Sequence, residues 1–147
     1  MEQTNHLTDI PVRELIQAAM EARKKSYAPY SGYRVGAAVL TGELRIYTGC
    51  NIENAAYSPG ICAERTAIYK AGSEGSGKLL AVAVVGGKKD REIDSYAFPC
   101  GVCRQVMREF AVPEELMVIV AKSREDYQIL PLSVLLPESF GPGNLKA

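Results

Sequence analysis

The chain has 147 residues, and its 17 Lys and Arg are balanced by 17 Asp and Glu for a formal net charge of +0. That length predicts one domain burying roughly 68–70% of its extended surface, so neither a metal nor a disulfide is needed merely to fold. Neutrality argues against a nucleic-acid-binding surface, which draws on excess Lys and Arg. No stretch approaches the roughly 20 apolar residues of a membrane span, so no membrane partner is expected.

The opening stretch, MEQTNHLTDIPVREL, lacks the basic, apolar and small-residue order of a signal peptide, and a cytoplasmic location is the expectation. Thr8 or Asp9 can cap a first helix with Pro11 in its opening turn. Val12, Leu15, Ile16, Ala19 and Met20 then follow helical spacing. YAPYSGYR is a loop rich in turn formers. VGAAVL from Val35 and RIYTGC from Arg45 read as strands joined by a hairpin across TGEL.

A second loop, NIENAAYSPG, leads through Pro59 and Gly60 into an ICAERTAIYKA helix. LLAVAVV from Leu79 is apolar on both faces, as a central strand of a covered sheet would be. A polar stretch, GGKKDREIDSY, precedes a PCGVCRQVMREF helix. LMVIVA from Leu116 is another buried strand, and PLSVLLP makes a short helix near the end. Strands alternating with helices predict a single α/β domain, with one sheet covered by helices.

The four cysteines carry the chemistry. Each alone is compatible with a small core hydrophobe, and Cys100-x-x-Cys103 at a helix start is compatible with a redox pair. In a reducing compartment the same count points to metal or catalysis. Residues three apart share one helical face, so Cys100 and Cys103 can bind one ion, and Cys62 at the mouth of the other helix offers a third thiolate. Three protein ligands with one open position describe a catalytic zinc site, whereas a structural site is closed by a fourth.

Both cysteine clusters sit where free N–H groups and the helix dipole stabilise anions. Glu64, two residues after Cys62, is not needed to hold a metal. Alone it would be a favourable acid in a helix's first turn. Beside PCGVC it matches the zinc-deaminase pattern, in which zinc activates water and a Glu shuttles protons. Here the first ligand is Cys where that pattern often has His.

Several separated stretches, YAPYSGYRVGAAV, GCNIENAAY, GICAERTAI, PCGVCRQVMREF and LLPESFGP, together resemble the cytidine deaminases of the small, three-cysteine zinc class. The resemblance spans nearly the whole chain. It implies a three-layer α/β domain, residues 1–147, with a mixed sheet of about five strands flanked by helices. It also implies one Zn²⁺ per chain on Cys62, Cys100 and Cys103, with Glu64 as the proton shuttle. Asn51 and Glu53 resemble the family's ribose-hydroxyl contacts, and the Ala63 backbone resembles the amide that meets the pyrimidine carbonyl.

By the same likeness the partner is a small-molecule nucleoside, cytidine or 2′-deoxycytidine. The assembly is a homotetramer in which Phe140 reaches a neighbour's base pocket. The chain departs from the family in Tyr33, where Phe is usual. It departs also in a long KKDREIDSYAF connection that places Phe98 before Pro99.

Three thiolates give a zinc site a formal charge of −1, which works against ionising its water. Arg65 is the first candidate to compensate by donating to sulfur, and Arg104 the second, each hydrogen bond being worth roughly 1.5–3 kcal/mol. His6 is a poor ligand in a terminal stretch, and Cys50, at a strand end, reads as a buried core thiol. Three rivals stand beside the nucleoside reading: a structural zinc domain closed by Cys50, a polynucleotide deaminase, and a deaminase of another aminated heterocycle such as a nucleoside antibiotic.

Overall fold

Runs such as LLAVAVV are apolar without alternation because both faces of the sheet are covered. The computed structural model describes residues 10–146. It runs α1 (Val12–Arg23), β1 (Tyr33–Thr41), β2 (Ile46–Cys50), α2 (Ala63–Ser73), β3 (Leu79–Lys88), α3 (Gly101–Phe110), β4 (Met117–Ala121), β5 (Tyr127–Pro131) and α4 (Leu132–Leu135), with a 3₁₀ turn at Pro142–Asn144. The five strands form one sheet in the order β2-β1-β3-β4-β5, with β3 in the middle. Only β3 and β4 pair in parallel, through the crossover that carries α3, and the other three pairings are antiparallel. The expected three-layer α/β architecture with a mixed five-stranded sheet is the one observed.

Side chains alternate across this sheet into two cores. Val39, Val82, Val84, Val118 and Val120 point to one side, where they meet Ala67 and Ile68 of α2, Met107 of α3 and Leu132 of α4. Their neighbours Ala38, Leu40, Ala83, Val85 and Ile119 point to the other side, against Leu15, Ile16 and Ala19 of α1. Each fully buried Val, Leu or Ile contributes roughly 1.5–3 kcal/mol of transfer free energy. The sandwich is therefore held by its strands' apolar runs.

The helix-starting residues shift slightly from expectation. Helix α1 begins at Val12 with Pro11 at the N-cap, one position before the opening turn, and among the described residues no side chain caps it. Thr8, Asp9 and His6 lie outside the described residues. The sequence reading named no segment for the fifth strand. Tyr127–Pro131 forms it, pairing with β4 from Ala121↔Tyr127 to Met117↔Pro131. A Pro at the end of an edge strand loses no ladder hydrogen bond.

One glycine sets the position of α2. A Cβ on Gly49 of β2 would lie 2.5 Å from the Ala67 amide nitrogen and 2.7 Å from the Ala63 carbonyl oxygen. Only a residue without a side chain lets the helix that carries Cys62 and Glu64 lie so close to the sheet.

Candidate active site

Helices α2 and α3 lie on the same face of the sheet and bring their N-termini together. Cys62 is the N-cap of α2 and Cys100 the N-cap of α3, both with extended backbone (φ −79°, ψ 156° and φ −70°, ψ 170°). Neither cap is closed by a side-chain hydrogen bond, so the first-turn N–H groups stay available to stabilise thiolates. Cys103 follows within the first turn of α3 and is fully buried.

The Cys62 and Cys100 sulfurs are 3.9 Å apart, and all three sulfurs lie within 4.8 Å of one another. A tetrahedral zinc with Zn–S bonds of about 2.3 Å needs sulfurs about 3.8 Å apart. The cluster fits the ion in donor chemistry and spacing. Cys50 stands outside it, half-buried at the end of β2 rather than in the core as expected. Among the described residues no fourth thiol closes the site, which removes the premise of the structural-zinc reading.

The three thiols differ in acidity. Hydrogen bonds from Cys103, Arg65 and Cys100 outweigh burial and hold the Cys62 thiol down to about 5. Cys103 is pushed up, because its proton is held in the bond to Cys62 and because it is buried. A divalent cation would displace such protons, as metal binding to thiols does.

Arg65 Nη2 donates to Cys62 Sγ at 3.4 Å, and this contact keeps the guanidinium firmly charged. Arg104 does not play the matching part. Its Nε donates to the Pro99 carbonyl and its Nη1 to the Leu135 carbonyl, each at 2.7 Å. Pointing along those bonds, it ties the segment before α3 to the end of α4, and no hydrogen bond from it to sulfur is found among the described residues.

Glu64, in the first turn of α2, is only 4% exposed. Burial pushes its carboxyl up to about 7; its own N–H pulls the other way, the negative Cys62 adds to the rise, and Arg65 opposes it least. It forms part of the wall of a cavity of about 1020 Å³ that also exposes Cys62, Cys100, Ala63, Arg65, Tyr33, Asn51 and Glu53. Ala63 is the first residue of α2, where a helix leaves its N–H without an intrahelical acceptor. Phe98 lines the same cavity and is 44% exposed.

The polar pair on the loop after β2 is more constrained than its spacing suggested. Asn51 Oδ1 accepts from the Val35 N–H at 2.9 Å and from the Ser26 hydroxyl, while Nδ2 donates to the Tyr33 carbonyl at 2.9 Å. Its amide thus stitches the loop to the start of β1, leaving one N–H for a ligand. Glu53 accepts from the Tyr30 and Ser31 N–H groups and from the Ser31 hydroxyl, and that hydroxyl is the main reason its carboxyl is held below the ordinary range. Ser26 and Ser31 were not singled out from sequence. Their signal, hydroxyls within a turn-rich loop, is shared by many serines that do nothing of the kind.

Phe140 lies away from this chain's cavity and is 58% exposed. Its segment is pinned on α3 by Gln105 Nε2 donating to the Phe140 carbonyl and Arg108 Nε donating to Ser139 Oγ, both at 2.9 Å. Gly141 packs on the Arg108 guanidinium so closely that a Cβ there would sit 2.4 Å from Cζ. The phenyl ring is held outward and does not plug its own core.

The chain is similar to known proteins over most of its length. The family model described as the cytidine and deoxycytidylate deaminase zinc-binding region matches residues 11–120. A cytidine deaminase of Halalkalibacterium halodurans is 44% identical over 126 residues, covering 86% of this chain and 91% of that relative. A crystal structure of cytidine deaminase from Burkholderia pseudomallei superposes with a TM-score of 0.79 at 42% identity, covering 89% of this chain and 100% of that one. One from Mycobacterium tuberculosis does so with a TM-score of 0.77 at 38% identity, covering 90% and 99%. By family model, relatives and fold alike, the chain belongs to the cytidine and deoxycytidylate deaminase zinc-binding family.

Proposed function

We propose that the chain hydrolyses cytidine and 2′-deoxycytidine to uridine and 2′-deoxyuridine with release of ammonia, a reaction suited to pyrimidine salvage. The observation that carries the reading is the seat of Glu64. An acid that is 4% exposed stands beside a three-thiol cluster, in the wall of a cavity that also presents Asn51 and Glu53.

Cys62, Cys100 and Cys103 would hold one zinc per chain, which when bound supplies the Lewis acidity that makes water a nucleophile near neutral pH. Arg65, donating to Cys62, offsets the charge of the three thiolates. Glu64 accepts a proton from the attacking water and places it on ring N3, which makes C4 electrophilic. It then carries the second proton to the exocyclic nitrogen, which leaves as ammonia. The Ala63 N–H faces the pyrimidine carbonyl, and the free Asn51 N–H and a remaining Glu53 lone pair take sugar hydroxyls. Tyr33 forms a wall beside the base.

The assembly we infer is a homotetramer with Phe140 entering a neighbour's pocket. Support comes from the outward-held Phe140 and from Tyr30 and Tyr57, which are 64% and 95% exposed at the rim of the cavity, since clustered exposed apolar groups mark contact surfaces. A cytoplasmic location accords with four cysteines that are all free. Among the described residues no helix is long and apolar enough to cross a membrane.

The test is direct. Zinc-loaded protein should consume cytidine and 2′-deoxycytidine, read by ultraviolet absorbance, with one ammonia released per nucleoside. A protein holding one zinc per chain that consumes neither would overturn the proposal.

A further inference from the structure

Glu53 is half-buried in the cavity wall, and its carboxylate is not free to swing. The Tyr30 N–H donates to Oε1 at 2.9 Å and the Ser31 N–H to the same oxygen at 3.2 Å. The Ser31 hydroxyl donates to Oε2 and accepts the Tyr33 N–H at 3.0 Å. A serine hydroxyl carries one proton, and that proton goes to Glu53 while the oxygen receives the Tyr33 amide. Three of a carboxylate's roughly four acceptor positions are thereby filled, leaving about one for a ligand hydroxyl.

Tyr33 and Glu53 line the cavity from separate segments, the start of β1 and the loop after β2. Among the described residues, Ser31 is the one side chain hydrogen-bonded to both. A long Glu side chain without such a tether samples several rotamers, each presenting its acceptor at a different place.

We infer that Ser31 is a positioning residue: its hydroxyl locks the Glu53 carboxylate to the backbone of Tyr33 and so fixes where a sugar hydroxyl is met relative to the wall beside the base. This rests on the reading of Glu53 as a sugar contact. The Ser31 side chain acts through Glu53 and touches no reacting atom. Because Ser31 is exposed, a threonine methyl has room there, and alanine leaves both backbone donors in place.

The experiment compares cytidine turnover by zinc-loaded wild type, Ser31→Ala, Ser31→Thr, Glu53→Ala and the Ser31→Ala/Glu53→Ala double variant, with zinc content and Tm recorded for each. Ser31→Ala should lose about 10- to 100-fold in kcat/KM, the worth of one hydrogen bond to a charged group. The loss should fall mainly on KM, as for an interaction made equally in bound substrate and transition state. Ser31→Thr should stay within about threefold of wild type, and in the Glu53→Ala background Ser31→Ala should cost no more than about twofold, since the two act as one unit.

A Ser31→Ala enzyme with wild-type kcat/KM would overturn the inference. So would an equal loss with and without the Glu53 carboxylate, or a Ser31→Thr enzyme as impaired as Ser31→Ala. Absence of cytidine turnover by the wild type would instead overturn the proposed function.

Discussion

Replacing Glu64 with Gln isolates its role as a proton carrier. The side chain is 4% exposed in the cavity wall, and Gln has nearly its volume, so the substitution should leave the cavity and the sulfur cluster in place. It removes a buried acid of the cavity able to take up and release a proton. Loss of a positioned acid–base group typically costs about 10²- to 10⁴-fold, or about 2.7–5.4 kcal/mol at 1.36 kcal/mol per decade. In the proposed reaction one carboxyl serves two transfers, so kcat for Glu64→Gln should fall by at least the upper figure.

Glu64→Asp keeps the acid but withdraws it by one methylene, and misplacement of that order costs about 10²-fold. The assay is absorbance-detected cytidine turnover. Zinc per chain and uridine affinity serve as controls, and both should match wild type. A metal-replete Glu64→Gln protein that turns over cytidine within about tenfold of wild type would refute the assignment.

Cys50→Ser should retain about one zinc per chain and full turnover while Cys100→Ser loses both, measured by metal analysis beside activity; loss of zinc from the Cys50 variant would restore the four-thiolate structural site. Free cytosine should be a poorer substrate than cytidine by as much as about 10⁴-fold, because Asn51 and Glu53 are left unpaired, and equal turnover would point to a free-base deaminase. Mixed oligomers of Phe140→Ala and Glu64→Gln chains should recover activity absent from either parent, since some sites then combine an intact Glu64 with a neighbour's intact Phe140. No recovery in demonstrated mixed oligomers would place Phe140 outside the shared site. Gly49→Ala should destabilise by about 1–3 kcal/mol, seen as a lower Tm, because its Cβ must push α2 off the sheet.

What could be read from sequence was what local spacing dictates. Cys100 and Cys103 lie three apart and must share a helical face wherever that helix packs. The apolar runs of β1, β3 and β4 demand two covered faces whatever covers them. A Pro-Gly before Ile61 and a Pro before Cys100 end loops and begin helices for reasons internal to those residues. The fifth strand escaped because YQILP is short and half polar, and it pairs only because β4 offers an open edge.

Local chemistry ranked Arg65 ahead of Arg104 as a donor to sulfur but could place neither guanidinium. Arg65 and Arg104 each follow a cysteine of the cluster near a helix start, yet the helices' orientation sends one to Cys62 Sγ and the other to the carbonyls of Pro99 and Leu135. Asn51 and Glu53 could be placed in one loop from sequence. That the Asn51 amide is largely spent on the backbone of Tyr33 and Val35, and that Glu53 is tethered by Ser31, depends on β1 passing beside that loop.

The meeting of Cys62 with Cys100, 38 residues apart along the chain, is decided by the sheet. The order β2-β1-β3-β4-β5 and the parallel crossover through α3 put both helix N-termini on one face. Sequence supplied the candidate ligands and the candidate acid because residue type and short-range period are properties of the chain itself. Their convergence on one cavity belongs to the fold, since a distance between remote residues exists only once the two cores have closed.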